Sequence, residues 1–230
     1  MKYTNAKLEH GYANKILTID VGSGDIAAQA LNPEIRDYFI GGRSLGLFLL
    51  HQSITPRTRA HDPEDPLIFA NGPLGGIPQF PGTAKAMAIS LSPLTGIPGV
   101  SNFGGYFGAY LKYAGFDALK LTGKAGQETI VVIDGFRHEV FVEPSPEYEE
   151  VFDLERAIVD RFTAAGYDKR HIAFMSTGTG ADVMKPIAAP MIGGMISSAI
   201  HVLIMTPVIF VMMKVRDLRK GRLKYSGMRH

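Results

Sequence analysis

The stretch SPLTGIPGVSNFGGYFGAYLKYAGFDALKLTGKA, residues 92–125, decides how this chain is read. Its first fourteen residues contain four Gly and two Pro, which predicts a loop. Residues 106–114 then predict a short helix, stopped by Gly115, which has the freedom to take the left-handed cap conformation. Residues 118–122 predict a strand. Upstream, 85–91 alternates apolar and polar side chains, as a strand with one buried face does.

Outward from that centre the punctuation repeats. Residues 15–31 predict a hairpin turning at Gly-Ser-Gly-Asp. Asn32-Pro33 opens a short helix, Asn as cap and Pro at the first position. Gly41-Gly42-Arg43 ends it, and 45–51 predicts another. Residues 53–65 read as a loop, and 66–71 as an apolar strand running into the loop GPLGGIPQFPG. Strands are expected at 129–134 and 139–143, joined over Gly135-Phe136. A helix is expected at 151–165, ended by Gly166, and a last strand at 170–174. This mix predicts an α+β fold with a mostly antiparallel sheet and short helices.

Of the 230 residues 46% are apolar, enough for a packed core, and 26 Gly with 14 Pro favour turns over a helical bundle. There is no Cys, so this chain offers neither a disulfide nor thiolate ligands for an iron–sulfur cluster. Residues 1–14 are polar, and no secretory segment is expected there. The formal charge is +2, but from Lys214 onward seven basic residues face only Asp217. That surplus of six leaves the first 213 residues acidic. Basic and aromatic residues are not interleaved in the body, which argues against nucleic-acid binding. The seven His are scattered, with no pair at metal-ligand spacing.

Candidate binding chemistry sits in the two Gly-rich loops. In SNFGGYFG, residues 101–108, glycines let backbone N–H groups approach an anion, and a helix follows. Asn102 presents both a donor and an acceptor to a heterocycle edge. Arg43 follows a Gly pair at a second break, where a cap or loop ion pair is the plainer reading.

Four segments, GYANKILTIDVGSGDI, FIGGRSLGLFLL, PLIFANGPLGG and residues 92–125, together resemble the opening of the tungsten-dependent aldehyde:ferredoxin oxidoreductases over about residues 11–172. The blocks SPLTG, SNFGGYFG and KYAGFDA carry that resemblance. It implies a β-rich pterin-binding base domain, for a tungsten or molybdenum ion held by two pterins. By the same resemblance Asn102, Gly104 and the basic residue Lys85 contact the pterin. Better-known members carry Arg at that last position, and Lys supplies a point charge where Arg clamps bidentately. Ferredoxin is implied as a partner of a complete parent enzyme only. No iron–sulfur cluster and no catalytic residue is expected from this chain, which reads as a truncated domain not competent alone.

Residues 186–213 are uncharged, and as a helix would span roughly 42 Å, more than the ~30 Å hydrocarbon core of a bilayer. The basic cluster follows immediately. Residues 175–215, with IAAPMIGGM most telling, resemble the last membrane helix of resistance–nodulation–division heavy-metal efflux pumps. The sequence therefore predicts two domains, 1–174 and 175–230, the second holding one hydrophobic helix at 186–213. It predicts a cytoplasmic first domain, membrane-associated through that helix. The alternatives are a fragment of a cation-efflux transporter, or two reading frames fused near residue 174 with no function as a unit.

Overall fold

The computed structural model describes residues 1–176, apart from Ala6 and Pro81, together with Arg216. The chain divides into two units, Met1–Met175 and Ser176–His230, and the fold below is that of the first. Six strands form its main sheet: β1 (Lys15–Asp20), β2 (Ile26–Ala30), β3 (Leu67–Ala70), β4 (Ala86–Leu91), β5 (Pro98–Phe103) and β6 (Ala118–Thr122). Their order is β2-β1-β6-β3-β4-β5. Only β1 and β6 run parallel; every other neighbouring pair in this sheet is antiparallel.

Side chains alternate across the sheet, so each central strand feeds two cores. Ile16, Ile68, Ala70, Ile89 and Ala118 join one cluster with Leu45, Leu49 and Leu50. Leu17, Ile19, Phe69 and Leu119 join another with Leu111, Phe116 and Val140. Each Leu, Ile or Phe so buried contributes roughly 1.5–3 kcal/mol against exposure. The first cluster is covered by helix α1 (Pro33–Phe39) and helix α2 (Gly42–Ser53), whose buried Leu45, Leu49 and Leu50 fall on one helical stripe. The second is covered by helix α3 (Phe107–Tyr113) and by the two-stranded sheet β7 (Thr129–Asp134) with β8 (Glu139–Pro144). Helix α4 (Val151–Ala164) buries Leu154 and Ile158, one turn apart, and Arg161 pairs with Glu143 of β8. Asn32 caps α1 through its side chain, accepting from Glu34 N at 2.8 Å.

The fold is the expected α+β, but three readings are corrected. The expected loop at 92–105 contains a strand: Pro98–Phe103 pairs with β4 along its full length. Pro and Gly are tolerated there because β5 is an edge strand with no ladder on its outer side. The strand expected at 170–174 is instead a single 3-10 turn, Lys169–His171, set off by Asp168 accepting from Arg170 N at 2.9 Å. The third correction concerns the hydrophobic helix and the membrane association drawn from it. Among the described residues no helix is long and apolar enough to cross a membrane. The proposed span, 186–213, lies outside the described residues. An uncharged run is also what a segment buried in protein carries, so hydropathy alone did not justify a lipid environment.

Candidate functional site

Five segments converge at one end of the main sheet. The pairing Ala86↔Phe103 and Met87↔Asn102 sets Lys85 opposite Gly104 one step further on. Contact confirms that step: a Cβ placed on Gly104 would stand 3.3 Å from Lys85 Nζ. The ammonium group therefore lies over a backbone position that must stay bare. Asn102 is exposed and shares its face with Met87, which packs on the α2 side of the sheet. Helix α2 begins beside them, since a Cβ on Gly42 would stand 3.8 Å from Met87 Cγ.

At that helix start Gly42 N donates to Asn71 O at 2.8 Å. Gly41 offers no side-chain cap, and the first turn carries no acidic residue. Gly41 has φ +148°, and a Cβ on it would come 2.6 Å from Asn71 O, so only glycine lets the two backbones pass. Arg43, in the same turn, is exposed. Among the described residues neither Arg43 nor Lys85 has a carboxylate within ion-pair distance. An ammonium over bare backbone, with a helix start carrying an exposed Arg nearby, suits an anionic ligand. The exposed ring of Tyr106, stacked on Tyr110 at 5.6 Å, adds an aromatic face where α3 begins.

Behind this rim lies a buried polar network that sequence reading did not find. Lys112 and Asp117 pair with side chains 0% and 1% exposed. Lys112 Nζ also donates to Gly11 O at 3.0 Å. The Asp117 carboxylate accepts from Ala13 N at 3.1 Å and Asn14 N at 2.7 Å. Asn71, 2% exposed, donates through Nδ2 to Gly108 O at 2.7 Å. The one available signal was charged or amide residues within apolar surroundings, Asn after LIFA and Lys and Asp in LKYAGFDAL. Helical periodicity and solvated-charge averages hide that signal. Among the described residues no group of His, Cys, Asp and Glu is arranged to hold a metal ion.

Residues 16–196 match the family described as aldehyde ferredoxin oxidoreductase, N-terminal domain. The chain belongs to that family. It is 33% identical over 184 residues to the tungsten-containing aldehyde ferredoxin oxidoreductase of Pyrococcus horikoshii, covering 80% of this chain and 29% of that protein. It is 35% identical over 124 residues to the protein of the same description from Pyrococcus furiosus, covering 54% of this chain and 20% of that one. The chain thus spans under a third of the length of these relatives. Among solved structures, the active-site complex BamBC of benzoyl coenzyme A reductase with 1,5 dienoyl-CoA superposes with a TM-score of 0.62 at 24% identity. That likeness covers 66% of this chain and 23% of that chain, and it is a likeness of fold alone.

The family match also overturns the efflux-pump reading of 175–215. It extends past residue 174 to residue 196, a range that includes IAAPMIGGM. The block that suggested a membrane transporter is therefore covered by the oxidoreductase family, and neither an efflux fragment nor a membrane-associated localisation is retained. A change of family near residue 174 was also the ground for a fused reading frame, and that ground goes with it.

Proposed function

We propose that this chain is the pterin-cofactor-binding base of an aldehyde:ferredoxin oxidoreductase-type enzyme, gripping the cofactor through Lys85, Asn102 and Gly104. The observation that carries the reading is the β4–β5 pairing, which brings the Lys85 ammonium over Gly104 with Asn102 beside it. The residues present fit the group: an ammonium lies over a bare backbone position, an exposed amide shares that face of the sheet, and an exposed Arg sits in the first turn of the neighbouring helix. When bound, a tungsten or molybdenum bis-pterin supplies the redox chemistry of the site. The chain's own residues bind and orient. Lys85 and Arg43 neutralise anionic substituents, Asn102 reads a heterocycle edge, and Gly104 admits the ligand against backbone.

Turnover is not assigned to this chain alone. With no Cys among its 230 residues it supplies no thiolate for an iron–sulfur cluster, so electrons must leave through groups held elsewhere. Electron delivery to ferredoxin belongs, on this reading, to a complete enzyme. The test is fluorescence anisotropy with neopterin phosphate, a pterin bearing a phosphomonoester. The wild-type chain is expected to bind it, and Lys85→Gln to bind roughly tenfold or more weakly, as loss of a charge-assisted hydrogen bond implies. No binding, or equal binding by both, overturns the assignment.

A further inference from the structure

Asn71 stands where the segments of the rim meet. Its backbone N donates to Asp117 O at 2.9 Å, and its backbone O accepts from Gly42 N at 2.8 Å. Its side chain donates to Gly108 O at 2.7 Å. One residue thus ties the end of β3 to the segment that opens β6, to the first turn of α2 and to the first turn of α3. Through Asp117 it is continuous with the buried Lys112 pair and with the backbone of Ala13 and Asn14. Its Oδ1 is buried without a partner, 2.9 Å from where a Cβ on Gly108 would stand. An orphaned acceptor is unfavourable, so it is the donor half of the amide that makes Asn suit this position.

We infer that Asn71 is the positioning residue of the cofactor rim, holding the α2 and α3 starts at the separation that Lys85, Asn102 and Gly104 need. In its functional consequence this rests on the pterin reading above; in its structural content it does not. Asn71 is itself too buried to touch a ligand, and it acts through the backbones of Gly42 and Gly108.

The experiment compares the full chain with Asn71→Ala and with Leu154→Ala, a buried control on α4 outside both core clusters, at temperatures equally far below their own thermal midpoints. Amide hydrogen exchange is read at residues 41–44 and 106–109. Asn71→Ala is expected to speed exchange there at least tenfold, with Leu154→Ala unchanged at those amides. Equal acceleration in both, or none in Asn71→Ala, overturns the inference. Asn71→Asp covers the case in which the Ala variant does not fold. Its protonated carboxyl donates to Gly108 O as the amide does, so protection is expected wherever that carboxyl is protonated; protection that stays below wild type even at low pH overturns the inference. The binding readout separates the two claims. If wild type binds neopterin phosphate, Asn71→Ala is expected to bind at least tenfold more weakly while Leu154→Ala binds as wild type, and equal binding by all three overturns positioning. If wild type does not bind, the pterin reading falls and the exchange comparison still decides the role of Asn71.

Discussion

Replacing Lys112 by Met tests whether the buried network organises the domain. The substitution keeps the length and apolar stem of the side chain and removes the ammonium group. Asp117 is then left 1% exposed, with Ala13 N and Asn14 N as its remaining donors and no counter-charge. Gly11 O loses its donor as well. Stranding one member of a buried pair costs about 3–5 kcal/mol. A domain of this size has a total stability on the order of 5–15 kcal/mol, so a third or more of it is at stake. Urea unfolding followed by far-ultraviolet circular dichroism reads this directly, as a midpoint lowered on the order of 2 M at unchanged slope. The double variant Lys112→Met/Asp117→Asn neutralises the stranded charge and is expected to recover about 1–2 kcal/mol. It does not recover fully, because a single amide oxygen must serve two backbone donors. A loss below about 1 kcal/mol for Lys112→Met refutes the reasoning. So does a double variant less stable than the single, since the charge would then not have been the burden.

Gly41→Ala is expected to lose about 2–4 kcal/mol, from a left-handed backbone and a Cβ pressed on Asn71 O, with the thermal midpoint as measurement. Tyr3 is half-buried, its hydroxyl is enclosed without a partner, and burial, then the nearby Asp134, pushes its ionisation up to about 12. Its neutral form is the one the fold favours, so that contribution is intact below about pH 10 and is lost as pH climbs toward 12. Several tyrosines ionise late, so Tyr3→Phe is expected to remove the last part of the phenolate absorbance rise and leave the rest. Arg161 makes a two-pronged pair with Glu143, yet its side chain is 53% exposed. Arg161→Ala is therefore expected to cost less than about 1 kcal/mol, and still less in high salt, by the same urea assay.

What the sequence by itself determined was the run of local elements and the family. Alternation at the start of 15–31 and at 85–91, and the short apolar run at 66–71, set strands, because a strand in a sheet must feed its side chains to a core. Gly and Pro placed the breaks around Gly41, Gly115 and Gly166, because local dihedral preference acts without tertiary help. The Gly-rich loop holding Asn102 and Gly104 was legible as a contiguous motif before a helix, whereas Lys85 was singled out by the family resemblance. Tertiary structure alone decided the rest. That Pro98–Phe103 forms a strand depends on β4 lying beside it, since its own residues favour a loop. That β1 runs parallel to β6 joins segments about a hundred residues apart, which no local pattern encodes. The roles of Asn71, Lys112 and Asp117 exist only where the chain returns on itself, because a polar side chain in a buried place is defined by its partners and not by its neighbours in sequence.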